Sequence, residues 1–143
     1  MQCKVCDTEL PSTNSICPFC KSSQDCKIVF KVDYIMAYDF ANHSPCLVAL
    51  STERLVLYAI RKQVPALLFF SEELSNIKEL KMPEADKHEP NYFFIQSFLT
   101  VVTEDERIHK IQFTNSHARI YFKKKLVKKL PNLPINTGYE GDF

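Results

Sequence analysis

The sequence predicts an α+β chain, mainly β, in which a small cysteine-rich unit precedes an antiparallel β-sandwich or barrel capped by a C-terminal helix. Three observations predict this. Five of the six cysteines stand before Lys27. From Lys27 onward, short β-branched and aromatic segments alternate with polar turns. One long helical stretch follows Thr114-Asn115-Ser116 and stops at Pro131.

Up to about Cys26 the chain is polar and holds too little apolar material to fold by burial, so a metal must supply the stabilisation. Cys3-x-x-Cys6 and Cys17-Pro18-Phe19-Cys20 form two knuckles ten residues apart. Each offers two sulfurs to one tetrahedral ion at about 2.3 Å, and the backbone N–H groups of its turn spread the thiolate charge. A dithiol redox pair, the chemical alternative, usually occurs once and ahead of a helix in a βαβ setting that is missing here. The expected cofactor is one structural Zn²⁺ on Cys3, Cys6, Cys17 and Cys20, because four cysteines leave no position for water. The join Lys21-Ser22-Ser23-Gln24-Asp25 is short and has no glycine or proline, which predicts a unit resting against the next domain.

Strands are expected over Ile28–Val32 and Tyr34–Phe40, with a turn at Ala41–Pro45. Cys46–Leu50 and Leu55–Ile60 read as a hairpin through Ser51–Arg54. Val64–Phe70 reads as an edge strand that tolerates Pro65. Ser71–Lys81 fits one or two helical turns or, over Ile77–Leu80, a short strand. Met82–Asn91 is a charged loop with two prolines, Tyr92–Thr103 a long apolar strand, and Glu104–Arg107 a turn into a strand over Ile108–Phe113. The final helix runs to about Leu130 and covers the sheet with Ala118, Phe122, Leu126 and Leu130. The tail from Ile135 holds both glycines, Gly138 and Gly141, and is expected to be loose.

No residue pattern calls for catalysis. There is no Gly-rich phosphate loop, no Ser/His/Asp spacing and no His-x-x-x-His pair. His43, His88, His109 and His117 are scattered and read as surface or satisfied residues. Glu104-Asp105-Glu106 reads as the solvated tip of a hairpin, and Phe69-Phe70, Tyr92-Phe93-Phe94 and Phe98 as core. Cys26 and Cys46 lack a Cys-x-x-Cys partner and read as buried thiols. Arg119, Lys123, Lys124, Lys125, Lys128 and Lys129 form the one large cluster of like charge. It reads as a solubilising outer face, or else as a contact for anionic lipid or nucleic acid.

A formal charge of +1 and a pI near 7.6 exclude the broad positive field of a strongly basic nucleic-acid binder. Four thiolates and a divalent ion take the formal balance to about −1. The first residues carry no apolar signal region and no apolar run spans a bilayer, so the expected location is the cytoplasm, where thiols stay reduced.

Residues Cys3 to Cys20, with Glu9-Leu10-Pro11 between the knuckles, resemble the short zinc ribbon at the N-terminus of many bacterial and archaeal proteins, which implies a bacterial or phage origin. Such knuckles commonly place glycine after the second cysteine. Asp7 and Lys21 stand there instead, and aspartate tolerates left-handed backbone better than lysine does. Leu47-Val48-Ala49-Leu50-Ser51-Thr52-Glu53-Arg54-Leu55-Val56-Leu57-Tyr58 resembles a hairpin of the pleckstrin-homology-like (PH-like) superfamily and its GRAM relatives, and the order of elements over residues 28 to 130 agrees. The resemblance implies a binding module without catalytic activity.

The expected organisation is a zinc ribbon over 1–26, a PH-like domain over 27–131 and a flexible tail over 132–143. The expected function is a non-catalytic adaptor that recognises a protein. Membrane-lipid binding is the alternative, weakened because Tyr34 to Leu50 contains no lysine or arginine. Nucleic-acid binding by the ribbon is weaker still, with only Lys4 and Lys21 against Asp7, Glu9 and Asp25.

Overall fold

The computed structural model describes residues 2–10, 15–37, 46–59, 67–83, 87–88, 90 and 92–137. The expectations for Pro11, Ala41–Pro45, Pro65, half of the Met82–Asn91 loop and both glycines lie outside these residues.

Eight strands and two helices follow the cysteine unit: β1 (Ile28–Ala37), β2 (Cys46–Ser51), β3 (Arg54–Ala59), β4 (Leu67–Glu73), β5 (Ile77–Lys81), α1 (Tyr92–Ile95), β6 (Phe98–Thr103), β7 (Ile108–Phe113), α2 (Ser116–Lys129) and β8 (Ile135–Asn136). The strands form one hydrogen-bonded series, β4-β3-β2-β1-β7-β6-β5-β8, with β4 and β8 at its ends. It is an open sandwich and not a closed barrel. β1 belongs to both leaves, pairing with β2 from Ile28 to Ile35 and with β7 from Ile35 to Ala37. Two irregularities, between Ile28 and Phe30 and between Val32 and Ile35, let it bend from one leaf to the other. The break expected after Val32 is the second of these, so the two expected strands are one.

The β2–β3 hairpin closes through Thr52-Glu53, and its turn is held by Ser51, whose hydroxyl accepts from the N–H of Glu53 at 3.2 Å and of Arg54 at 3.0 Å. The β6–β7 turn repeats the device: Thr103 Oγ1 accepts from the Arg107 N–H at 2.9 Å, and Glu106 takes a φ of 65°.

Between the leaves, Val48, Leu50, Leu55 and Leu57 meet Leu80, Leu99, Val101, Ile111 and Phe113. α2 closes this core. Phe122 lies 5.3 Å from the Phe113 ring and 6.1 Å from Phe30, and Leu126 is fully buried beside them. Asn115 caps the helix by accepting from the Ala118 N–H at 2.9 Å.

Of the alternatives open at Ser71–Lys81, the short strand over Ile77–Leu80 holds as β5, while β4 runs on to Glu73 and one 3₁₀ turn covers Leu74–Asn76. Two expectations are corrected. Tyr92–Thr103 is not one strand, because Tyr92–Ile95 form a helical turn before β6. The tail is ordered at its start, since Ile135 and Asn136 pair in parallel with Leu80 and Lys81. Leu133 and Ile135 pack on the core, which explains why the chain stays down after Pro131 and Pro134.

Candidate metal centre

The two knuckles are one structure written twice, 14 residues apart. In the first, Cys3 N–H donates to the Thr8 carbonyl at 2.8 Å and Asp7 N–H to the Cys3 carbonyl at 2.9 Å. In the second, Cys17 N–H donates to Ser22 at 3.0 Å and Lys21 N–H to Cys17 at 2.8 Å. Single β-bridges flank each, Gln2 to Glu9 and Ile16 to Ser23. Asp7 (φ 61°) and Lys21 (φ 65°) occupy the left-handed conformation that glycine usually fills. The repeat is written in the sequence as the matching order Cys, Cys, polar residue, hydroxyl residue in Cys3-Cys6-Asp7-Thr8 and Cys17-Cys20-Lys21-Ser22.

These turns bring Cys3, Cys6, Cys17 and Cys20 together, fully buried, with all sulfurs within 4.8 Å of one another. Cys3 and Cys20 are 3.7 Å apart at sulfur, as are Cys6 and Cys17. A tetrahedral ion with metal–sulfur bonds of about 2.3 Å requires sulfurs about 3.8 Å apart. A disulfide needs about 2.05 Å, and none of the six cysteines is in one. Cys3 Sγ accepts from the N–H groups of Val5 (3.4 Å) and Cys6 (3.5 Å) and from Gln24 Nε2 (3.4 Å), the donors a thiolate needs.

Four buried sulfurs this close together favour a cation among them. The Cys20 sulfur and then that of Cys6 drive the Cys3 thiol far below its ordinary value, so Cys3 holds a thiolate. Cys3, Cys6 and burial drive Cys20 far above it. Cys6 is drawn down by Cys20 but pushed up by Cys3 and by burial, and ends at about 11. One negative sulfur therefore keeps its neighbours protonated until a metal ion replaces their protons. Thr8 lies 3.1 Å from Cys6 Sγ, and Ser22, in the equivalent place beside Cys20, sets a buried hydroxyl and a backbone N–H where they favour a thiolate on that cysteine.

The unit is seated on the outer face of β2 and β3. Along these strands the residues that point away from the main core, Leu47, Ala49, Val56 and Tyr58, are buried against the four cysteines, Val5 and Leu10. Two polar contacts fix the first knuckle: Asp7 accepts from Tyr58 Oη at 2.6 Å and pairs with Lys31 at 2.9 Å. The second knuckle is held by Ser71, which donates to the Cys20 carbonyl at 2.5 Å, and by Glu53, which accepts from the Ser23 N–H at 2.5 Å. The unswung join expected from the sequence is thus a packed interface. Ile16 and Phe19, on the second knuckle, face solvent at 59% and 42% exposure.

Cys26 is buried at this interface, where burial raises its thiol, and Cys46 lies in the core between the leaves. Of the basic cluster, Lys124, Lys128 and Lys129 are exposed and Lys123 and Lys125 half-buried on α2. Arg119 does not belong with them. It is buried, and its guanidinium donates to the carbonyls of Pro83 (2.9 Å) and Phe98 (3.2 Å) and to Gln96 (2.5 Å), tying α2 to the chain before β6.

One polar cluster escaped the sequence reading. Glu72, 2% exposed, accepts from Arg107 (2.9 Å), Asn76 (3.1 Å) and His109 (3.0 Å), and the His109 ring stacks on Phe70 at 4.1 Å. The signal was a glutamate at a buried position of a strand, which demands a partner. The carboxylate has three, so the cluster is a structural clasp between β4 and the β6–β7 hairpin.

Neither a family model nor a curated relative matches this sequence. Solved structures do match in shape. The hSac2 domain from human phosphoinositide phosphatase Sac2 superposes with a TM-score of 0.61 at 12% identity, over 83% of this chain and 81% of that one. The linker-DH/PH domains of p115-RhoGEF give 0.57 at 12% identity, over 77% of this chain and 30% of that one. The DH/PH fragment of PDZRHOGEF in complex with human RhoA gives 0.55 at 11% identity, over 76% and 30%. This chain therefore spans under a third of the DH/PH chains it resembles, and at these identities the likeness establishes a PH-like fold.

Proposed function

We propose that this chain is a non-catalytic docking module whose PH-like sandwich and zinc ribbon together present one surface to a protein partner. The observation that carries the reading is the seating of the ribbon. Its first knuckle is spent on the sheet, through Asp7, Tyr58 and Lys31, while its second knuckle turns Ile16 and Phe19 outward. Exposed apolar side chains on a rigid, metal-held turn are the kind of anchor that protein interfaces use, because little conformational entropy is lost on docking. Zinc suits the site for the chemistry of its donors: four thiolates in a closed tetrahedron favour a soft-tolerant ion without redox needs and leave no position for water or substrate. The clasp at Glu72 is internally satisfied and offers no free acid or base. A site of four thiolates needs a reducing compartment to persist, and the cytoplasm is the location this reading proposes.

The test compares the zinc-loaded chain with a variant carrying Ile16→Ser and Phe19→Ser in affinity capture. Both side chains are exposed, so the variant should retain its metal and its melting temperature while losing specific captured proteins. Identical captured proteins from both forms would sink the assignment.

A further inference from the structure

We infer that the outward face of α2 is a contact for an anionic phospholipid surface. The starting point is charge segregation. Six of the chain's 18 basic residues lie within α2, which holds none of its 17 acidic ones, leaving 12 basic against 17 acidic elsewhere, a balance of −5. A chain that is near neutral as a whole is therefore strongly polar, with its positive end on one helix. Arg119 is consumed inside the fold. The five lysines form no ion pair among the described residues, so their charge is turned to solvent.

The second observation is what stands among those lysines. With Phe122 and Leu126 facing the core, the 100° step of a helix directs Lys124 straight outward, flanked by Ile120, Tyr121 and Lys128, while Val127 is half-buried at the edge of that face. Ile120 is 42% and Tyr121 60% exposed, and the Lys124 ammonium sits 5.9 Å from the Tyr121 ring. A solubilising face has no use for an isoleucine and a tyrosine at its centre. Lysines flanking aliphatic and aromatic groups are the layout of helices that lie in the membrane interface, with ammonium groups at lipid phosphates and rings at the headgroup level.

The same face fits nucleic acid poorly. Branched aliphatic side chains gain nothing from a phosphodiester backbone, and an extended polyanion would also meet the negative remainder of the molecule. The contact is also separate from the β1–β2 region, which brings no lysine or arginine between Tyr34 and Leu50.

The experiment is co-sedimentation of the zinc-loaded full chain with vesicles of phosphatidylcholine alone or with about one third phosphatidylserine. Binding is expected to the mixed vesicles only, and to fall steeply when salt is raised well above about 0.15 M. Lys124→Ala with Lys128→Ala should weaken it about thirtyfold, from roughly tenfold or less per lysine. Tyr121→Ser should weaken it about fivefold while leaving the salt dependence intact, since it removes apolar burial only. All three side chains are exposed, and an unchanged melting curve verifies the fold of each variant. No sedimentation with mixed vesicles, equal sedimentation with both vesicle types, or insensitivity to the lysine pair overturns the inference. So does tighter binding to generic duplex DNA that ignores Tyr121→Ser.

Discussion

Tyr58 donates its phenolic hydrogen to the carboxylate of Asp7 at 2.6 Å across 51 residues of sequence. Lys31 meets the same carboxylate at 2.9 Å and lies over the Tyr58 ring at 5.5 Å. The residue that must accept a left-handed conformation for the first knuckle is therefore the one that bolts the ribbon to the sheet. At the second knuckle Lys21 bears the same backbone conformation with no such bond.

Substitutions at the two knuckle positions should consequently have opposite signs. Lys21→Gly relieves a positive φ and should raise stability by about 1 kcal/mol. Asp7→Gly relieves the same conformation but removes two partners from a half-buried site, and should lower it by about 2 kcal/mol. Asp7→Asn, which keeps an acceptor for Tyr58, should fall between wild type and Asp7→Gly. Urea midpoints for the three variants check the order.

Chelation should lower the melting temperature of the whole chain and not of a separate ribbon alone. Removing the metal frees the cover over Leu47, Val56 and Tyr58, leaving an apolar patch on β2 and β3. The expected result is one transition shifted downward, with binding of a hydrophobic dye that zinc reverses. An unmoved main transition after complete chelation would show that the sandwich does not need its cover.

Metal uptake should release protons. In the metal-free site Cys3 is already a thiolate, while Cys6, at about 11, and Cys20, raised further, are protonated at neutral pH. Zinc binding near pH 7.5 should therefore liberate at least the protons of Cys6 and Cys20, read by calorimetry in buffers of different ionisation enthalpy. The sign follows directly: protons compete with the ion for sulfur, so affinity falls as pH falls. The stability that zinc confers is present at neutral pH and is lost on acidification.

Glu72→Gln should destabilise the fold by about 1–3 kcal/mol. The amide cannot accept from Arg107, His109 and Asn76 together as the buried carboxylate does. Chemical denaturation of this variant beside His109→Gln, which removes one partner only, should place the glutamate change as the more costly.

Much of the architecture was legible because periodicity and turn chemistry coincide. The hairpin across Ser51–Arg54, the turn at Glu104–Arg107 and the Asn115 cap stand within a residue of their expected places. What misled was local apolarity. Tyr92-Phe93-Phe94-Ile95 is as strand-like as any segment in the chain, yet it winds into a turn. Arg119 resembled its lysine neighbours by charge, and its burial depends on carbonyls of Pro83 and Phe98, 36 and 21 residues away. The cluster of four cysteines was readable because Cys-x-x-Cys spacing is local. The place where the ribbon sits was half-readable: an unbroken apolar run at β2 and β3 signals two covered faces, but the identity of the outer cover lies in the first knuckle's polar contacts.

The seated cysteine unit also behaves as a tethered ligand. Only Lys21–Lys27 separate the second knuckle from β1, so the ribbon meets its sheet at an effective concentration of the order of millimolar. An affinity as modest as about 10 μM then keeps the outer face occupied roughly a hundred times more often than not. Any competitor for that face must overcome this local excess, and losing the metal, which removes the ligand's shape, lowers the barrier far more than dilution or crowding can.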